Sequence, residues 1–254
     1  MDPNKKISQS FERVQIAEQI KKARKSERED QKYECHRSGK EYFYRIGGLK
    51  NLFQYLKSLP SNKVLDVGAG TGNASYRISQ MPISDGLDFE ITALRNSPEL
   101  MNNFPKEKTH ITEVESLNGI KNESLAGVIG VNSIAYSINP KLVVERIDEV
   151  LIKGGVVKAT FNKFGVSHDY GGLVFKGPEK FIEVFASLGY DSSFIENKFS
   201  AEDDFGVFVN SIILAIKPGN PKAPSAKELL DLDFDAIRSE SVKSIGYPIF
   251  NTED

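Results

Sequence analysis

An apolar run, Lys63 to Val67, stops against Gly68-Ala69-Gly70-Thr71-Gly72, and a helical pattern begins at Asn73. No other stretch limits the fold as strongly. The run is short and bounded by turn residues, which is the profile of a buried strand. Three glycines spaced by two let the main chain bend sharply and let a ligand approach it without Cβ obstruction. Asp66, near the strand end, sets a carboxylate where it can hold loop amides or the charged end of a ligand.

The same strand-then-helix rhythm continues downstream. Phe89 to Leu94, His110 to Val114, Leu125 to Val131 and Val156 to Phe161 read as further strands, and Ser192 to Glu196 and Val207 to Ile216 as the last two. Between them, Asn73 to Met81 is a predicted helix, and Ser97-Pro98-Glu99 has the cap, proline and acid of a helix start. Asn139-Pro140 opens another helix, expected to stop at Gly154-Gly155, and Gly177-Pro178 opens one closed by Gly189. Strands joined by crossover helices give a parallel sheet with helices on both faces. Such sheets bind ligands at the carboxyl ends of their strands. The short polar segment before Val207 carries no helical pattern, so the last two strands are expected to be antiparallel neighbours.

Both ends of the chain differ from this middle. Ile7, Phe11, Val14, Ala17, Ile20 and Ala23 recur at helical spacing, and a second helix is predicted from about Tyr42 to Leu59. Gly219 to Pro224 reads as a linker, and Ser225 with Glu228 has capping-box spacing for a short helix through about Leu232. The rest is polar and is expected to pack as a tail on the core. The division is therefore an N-terminal helical cap (1–45), an α/β core (46–218) and a C-terminal linker, helix and tail (219–254).

Composition excludes several functions. With 33 Lys+Arg against 35 Asp+Glu, the net charge of −2 gives no global attraction to nucleic acid or an anionic membrane. The single Cys35 rules out an intramolecular disulfide framework, and three scattered histidines, His36, His110 and His168, make a metal site unexpected. There is no apolar signal segment and no run of about 20 apolar residues, so a soluble cytoplasmic protein is expected.

The glycine pattern has a rival reading. Dinucleotide-binding loops use G-x-G-x-x-G. Here Gly68, Gly70 and Gly72 give G-x-G-x-G, and Asn73 stands at the dinucleotide position. The segment Val64 to Asn73 instead resembles motif I of the class I S-adenosylmethionine (AdoMet)-dependent methyltransferases. The resemblance extends to Ile91–Leu100, Ile111–Leu117, Leu125–Tyr136 with Asn132-Ser133, and Leu151-Ile152-Lys153-Gly154-Gly155, over about residues 60 to 218. It implies a Rossmann-like, seven-stranded, mostly parallel sheet with the last strand antiparallel.

The resemblance also implies roles. Asp66, Gly68, Ala69, Gly70, Thr71 and Gly72 would contact the methionine part of AdoMet, Glu113 and Val114 the adenine, and Asn132 would lie beside cofactor and acceptor. One departure stands out. Arg95 occupies the position where the family usually has an acid for the ribose hydroxyls, and a guanidinium only donates. Asn96 could reach the ribose instead. Tyr136 and His168, the latter beside Asp169 and Tyr170, are the candidates for acceptor contact, weighed against a plain polar surface loop. Tyr42, Tyr44 and Arg45 are read as helix packing ahead of a lid. The expected activity is methyl transfer from AdoMet to a small molecule, a protein acceptor being second choice. The fourth-strand loop lacks the Asn/Asp-Pro-Pro-Tyr of adenine and glutamine amino-methyltransferases, which argues against DNA. The alternative from a different class, motivated by Arg95, is a non-catalytic protein that binds a partner.

Overall fold

The structure is a computed structural model and describes residues 39–93, 104–137, 139–162, 177–200 and 207–241. Seven strands form one sheet: β1 (Lys63–Asp66), β2 (Asp88–Ala93), β3 (Thr109–Ile111), β4 (Leu125–Val131), β5 (Leu151–Asn162), β6 (Asp191–Ser200) and β7 (Val207–Ile216). Their order is β3-β2-β1-β4-β5-β7-β6. Strands β1 to β5 pair in parallel, and β7 is antiparallel to both neighbours, β5 and β6. The chain moves outward from β1 to β3 and then returns to place β4 on the other side of β1. The order reverses between β1 and β4, where a doubly wound sheet opens a crevice.

Six helices are described: α1 (Gly39–Arg45), α2 (Lys50–Leu56), α3 (Asn73–Ser79), α4 (Pro140–Val150), α5 (Pro178–Ser187) and α6 (Ala226–Ser241). They cover the two faces because side chains alternate along each strand. Val64 joins Leu52, Phe53, Leu56, Ile78 and Leu230 on one face, while Leu65 joins Val143, Ile147, Phe181 and Phe185 on the other. The start of α4 follows its sequence signal, with the Asn139 side chain accepting from the Lys141 and Leu142 amides. Ser225 Oγ likewise accepts from the Glu228 amide at the start of α6.

Several sequence expectations are corrected. The single helix from Tyr42 to Leu59 is two, α1 and α2, broken at Gly47-Gly48, where both residues have left-handed backbone. A Cβ on Gly47 would lie 2.6 Å from both Ile212 and Phe234, so the break is also where the chain presses onto β7 and α6. Helix α4 ends at Val150, not at Gly154-Gly155. The glycines lie inside β5, where the register with β4 shifts between Leu125 and Gly127. The third strand stops at Ile111, so Val114 belongs to the following turn. The C-terminal helix continues beyond Leu232 to Ser241 because Leu229, Leu230 and Phe234 give it a buried stripe. The predicted helices at Ile7 to Ala23 and after Ser97 lie outside the described residues. Among those residues no helix is long and apolar enough to cross a membrane.

A fully buried ion pair fastens the Gly47-Gly48 break and α6 to the sheet. Lys158 Nζ on β5 donates to Asp233 Oδ2 on α6 at 2.7 Å and to the Gly48 carbonyl at 2.7 Å. Asp233 Oδ1 accepts from the Asn51 amide at 2.7 Å, at the start of α2. Burial lowers the Lys158 pKa, and the Asp233 carboxylate opposes that shift.

Candidate functional site

Strand β1 delivers Asp66 to the carboxyl edge beside β4, at the point where strand order reverses. Its carboxylate is buried, at 1% exposure, rather than open to solvent. Tyr42 from α1 donates its hydroxyl to Asp66 Oδ1 at 2.7 Å, and Ser75 from α3 donates to Oδ2 at 2.5 Å. Asp66 therefore ties α1 and α3 to the strand end. Tyr42 is itself buried, so it packs as the sequence suggested, but it is also wired to the acid.

The glycine loop is shaped by these same neighbours. Gly68, Gly70 and Gly72 all have left-handed backbone, with φ of 67°, 62° and 74°. The Gly68 amide donates to Thr92 Oγ1 at 2.8 Å and the Ala69 amide to the Thr92 carbonyl at 2.9 Å, so the end of β2 pins the start of the turn. The Gly72 amide closes onto the Ala69 carbonyl. A Cβ on Gly68 would sit 2.6 Å from Ser133 Cβ, which leaves no room for a side chain where the loops after β1 and β4 meet. Gly68 and Gly70 are exposed, and Thr71 is half-buried.

Asn132 follows β4 with φ of 60°, a conformation that asparagine tolerates better than most residues. Thr160 Oγ1 accepts the Asn132 amide N–H at 3.0 Å and donates to Asn132 Oδ1 at 2.9 Å. One hydroxyl proton thus fixes which way the side-chain amide faces. It leaves Asn132 Nδ2 buried with no hydrogen-bond partner, and Ser133 Oγ and Ser137 Oγ share that condition. Native folds seldom leave buried donors unmatched, so a cluster of them points to a missing polar partner, a ligand or ordered water.

Glu113 and Val114 begin the loop after β3, Glu113 half-buried and Val114 buried. The structure thus brings Asp66, the glycine loop, Glu113, Val114 and Asn132 to one edge of the sheet. Tyr136 ends a short 3-10 turn there, Ile134–Tyr136. Arg95, Asn96, His168, Asp169 and Tyr170 lie outside the described residues, as do Cys35 and His36. His110 stands within β3, not at a site, with Nε2 2.9 Å from Glu90 Oε2. The sequence reading missed Ser75, Thr92 and Thr160. A signal existed for the last two: a threonine one or two residues before the carboxyl end of its strand.

No family model and no curated protein matches this sequence. Solved structures do. The CurJ carbon methyltransferase superposes with a TM-score of 0.50 at 12% identity, over 66% of this chain and 52% of that one. The present chain thus spans about half the length of that protein. An AdoMet-dependent methyltransferase of Methanosarcina mazei gives 0.48 at 14% identity, over 66% and 97%. Phosphoethanolamine N-methyltransferase 2 of Haemonchus contortus, in complex with AdoMet, gives 0.49 at 15% identity, over 73% and 59%. The seven-stranded sheet with its antiparallel β7, together with the CurJ likeness, is the class I AdoMet-dependent methyltransferase fold.

Proposed function

We propose that the chain is an AdoMet-dependent methyltransferase acting on a small molecule. The observation that carries this reading is the glycine loop at the sheet's switch point, left-handed at Gly68, Gly70 and Gly72, exposed at Gly68 and Gly70, and backed by Asp66. The residues present fit the cofactor. The Gly68, Ala69 and Gly72 amides are spent inside the fold. That leaves the Gly70 and Thr71 amides to receive the carboxylate of an amino acid. Asn132 Nδ2 offers a buried, unmatched donor at the same edge of the sheet, and Glu113 with Val114 would hold the adenine. Asp66 acts behind the loop through Ser75 and Tyr42.

When bound, AdoMet supplies a methyl group on a sulfonium, a good leaving group. The protein's share is to align the acceptor on the far side of that methyl and to keep water out. Tyr136 and His168 remain the residues proposed to contact the acceptor. The balanced charge supports neither nucleic acid nor membrane as partner.

Calorimetry on the full chain tests the reading. Titration with AdoMet and with S-adenosylhomocysteine is expected to give saturable heat for both. No heat from either at millimolar ligand, on folded protein, removes the enzymatic reading. The non-catalytic alternative rests on Arg95 alone. It gains support if wild type binds neither ligand and Arg95→Asp binds both.

A further inference from the structure

The loop between β3 and β4 holds an unusual main chain. Leu117 has φ of 43° and Gly119 has φ of 87°. Leu117 is fully buried, packed with Val114, Ile120 and the inner face of α4. A buried leucine in left-handed backbone persists only where its surroundings hold it. The two ends of the loop are fastened to regular elements. The Thr112 amide donates to Ala93 of β2, and the Glu123 and Ser124 amides donate to Glu149 and Val150 at the end of α4.

Arg146 on α4 holds the middle. Its Nε donates to the Ser116 carbonyl at 2.8 Å, and Nη2 donates to the Ile120 carbonyl at 2.9 Å and the Leu117 carbonyl at 3.4 Å. Its Nη1 donates to Asn122 Oδ1 at 2.6 Å and Glu149 Oε2 at 2.8 Å. All five guanidinium donors are engaged, four of them on the loop, and the side chain is 15% exposed. The link to the loop's first residues is direct. The amides of Ser116 and Leu117, whose carbonyls Arg146 holds, both donate to the Glu113 carbonyl, at 3.1 and 2.9 Å. The Ser116–Leu117 peptide is held on both sides, its carbonyl by Arg146 and its N–H by the Glu113 carbonyl, and this secures the turn that begins at Glu113.

We propose that Arg146 is a positioning residue for base recognition: it holds the Glu113–Asn122 turn in the one shape that sets Glu113 against a purine amino group. The inference rests on the proposed role of Glu113 and Val114, and it adds a residue that touches no ligand. A lysine cannot substitute, since an ammonium has three donors around one point and cannot span three carbonyls.

The test compares S-adenosylhomocysteine with S-inosylhomocysteine, in which an oxygen replaces the purine amino group. Calorimetry on wild type is expected to show about tenfold preference for the adenosyl compound, the size of one buried hydrogen bond. In Arg146→Lys and Arg146→Met the ratio is expected to fall to about twofold. A merely structural role would lower the melting temperature and both affinities together, leaving the ratio as it was. If Arg146→Met does not fold, Arg146→Lys decides. A wild-type ratio in folded Arg146→Lys overturns the proposal. Equal binding of both compounds by wild type overturns it by removing the role of Glu113. Binding of neither removes the methyltransferase reading itself.

Discussion

Lys158 and Thr160 stand two residues apart on one face of β5, and each leads into a buried polar cluster. The clusters are opposites. Around Lys158 the partners close on one another: its ammonium meets Asp233 and the Gly48 carbonyl, and Asp233 turns its other oxygen to the Asn51 amide. Around Thr160 the bonding stops short, with Asn132 fixed in place and its Nδ2 unmatched. A closed cluster fastens the Gly47-Gly48 break, α2 and α6 to the sheet. An open one, at the strand ends where the glycine loop meets Ser133, leaves a buried donor unmatched.

The sharpest way to break the closed cluster is Asp233→Ala. It strands a buried ammonium and is expected to cost about 3–5 kcal/mol in urea unfolding. Lys158→Met combined with Asp233→Asn should regain at least about 1 kcal/mol of that, since no charge is then left buried alone. Where the double variant folds, its affinity for S-adenosylhomocysteine is expected to match wild type. A large loss there would merge the two clusters into one.

At the open cluster, Gly68→Ala forces a side chain into left-handed backbone and against Ser133. We expect a loss of about 2 kcal/mol in stability together with loss of ligand heat in calorimetry. Tyr42→Phe removes the hydroxyl from a buried carboxylate, and about 1–2 kcal/mol of stability is expected to go with it. Unchanged urea stability in this variant would mean that the α1 contact is incidental.

The smallest effect lies away from both clusters. Glu90 accepts from His110 and Lys63, and these bonds, the His110 bond foremost, lower its pKa from 4.5 to about 2 against the opposing effect of burial. A carboxyl with a depressed folded-state pKa stabilises fully above its unfolded value and loses that contribution on protonation. Wild-type stability should therefore fall as pH drops from about 4.5 toward about 2, and Glu90→Gln should fall less steeply over that window. Parallel slopes in urea titrations would contradict it.

The open cluster was largely legible in the sequence and the closed one was not. Asp66 and the three glycines are consecutive, so strand, turn and helix start are written in ten residues. Lys158 lies 75 residues from Asp233 and 110 from Gly48, and no local pattern links them. In the sequence Asp233 looks like one more charge in a polar tail. Only the burial of Leu229, Leu230 and Phe234 turns that stretch into a helix with a core face. The break at Gly47-Gly48 was hidden for a similar reason. Two glycines inside an apolar pattern end a helix here because β7 and α6 press against them. Asn132 was found through the family likeness, but its unmatched amide follows from Thr160, which only the register of β4 on β5 brings beside it.

In the proposed function, the bend after Asp66 grips the amino-acid end of a sulfur-bearing nucleoside. A crystal structure of the full chain grown with S-adenosylhomocysteine tests it most directly. The homocysteine carboxylate is expected against the Gly70 and Thr71 amides, and the base beside Glu113. Density for the ligand elsewhere, or an empty loop at saturating ligand, would contradict it.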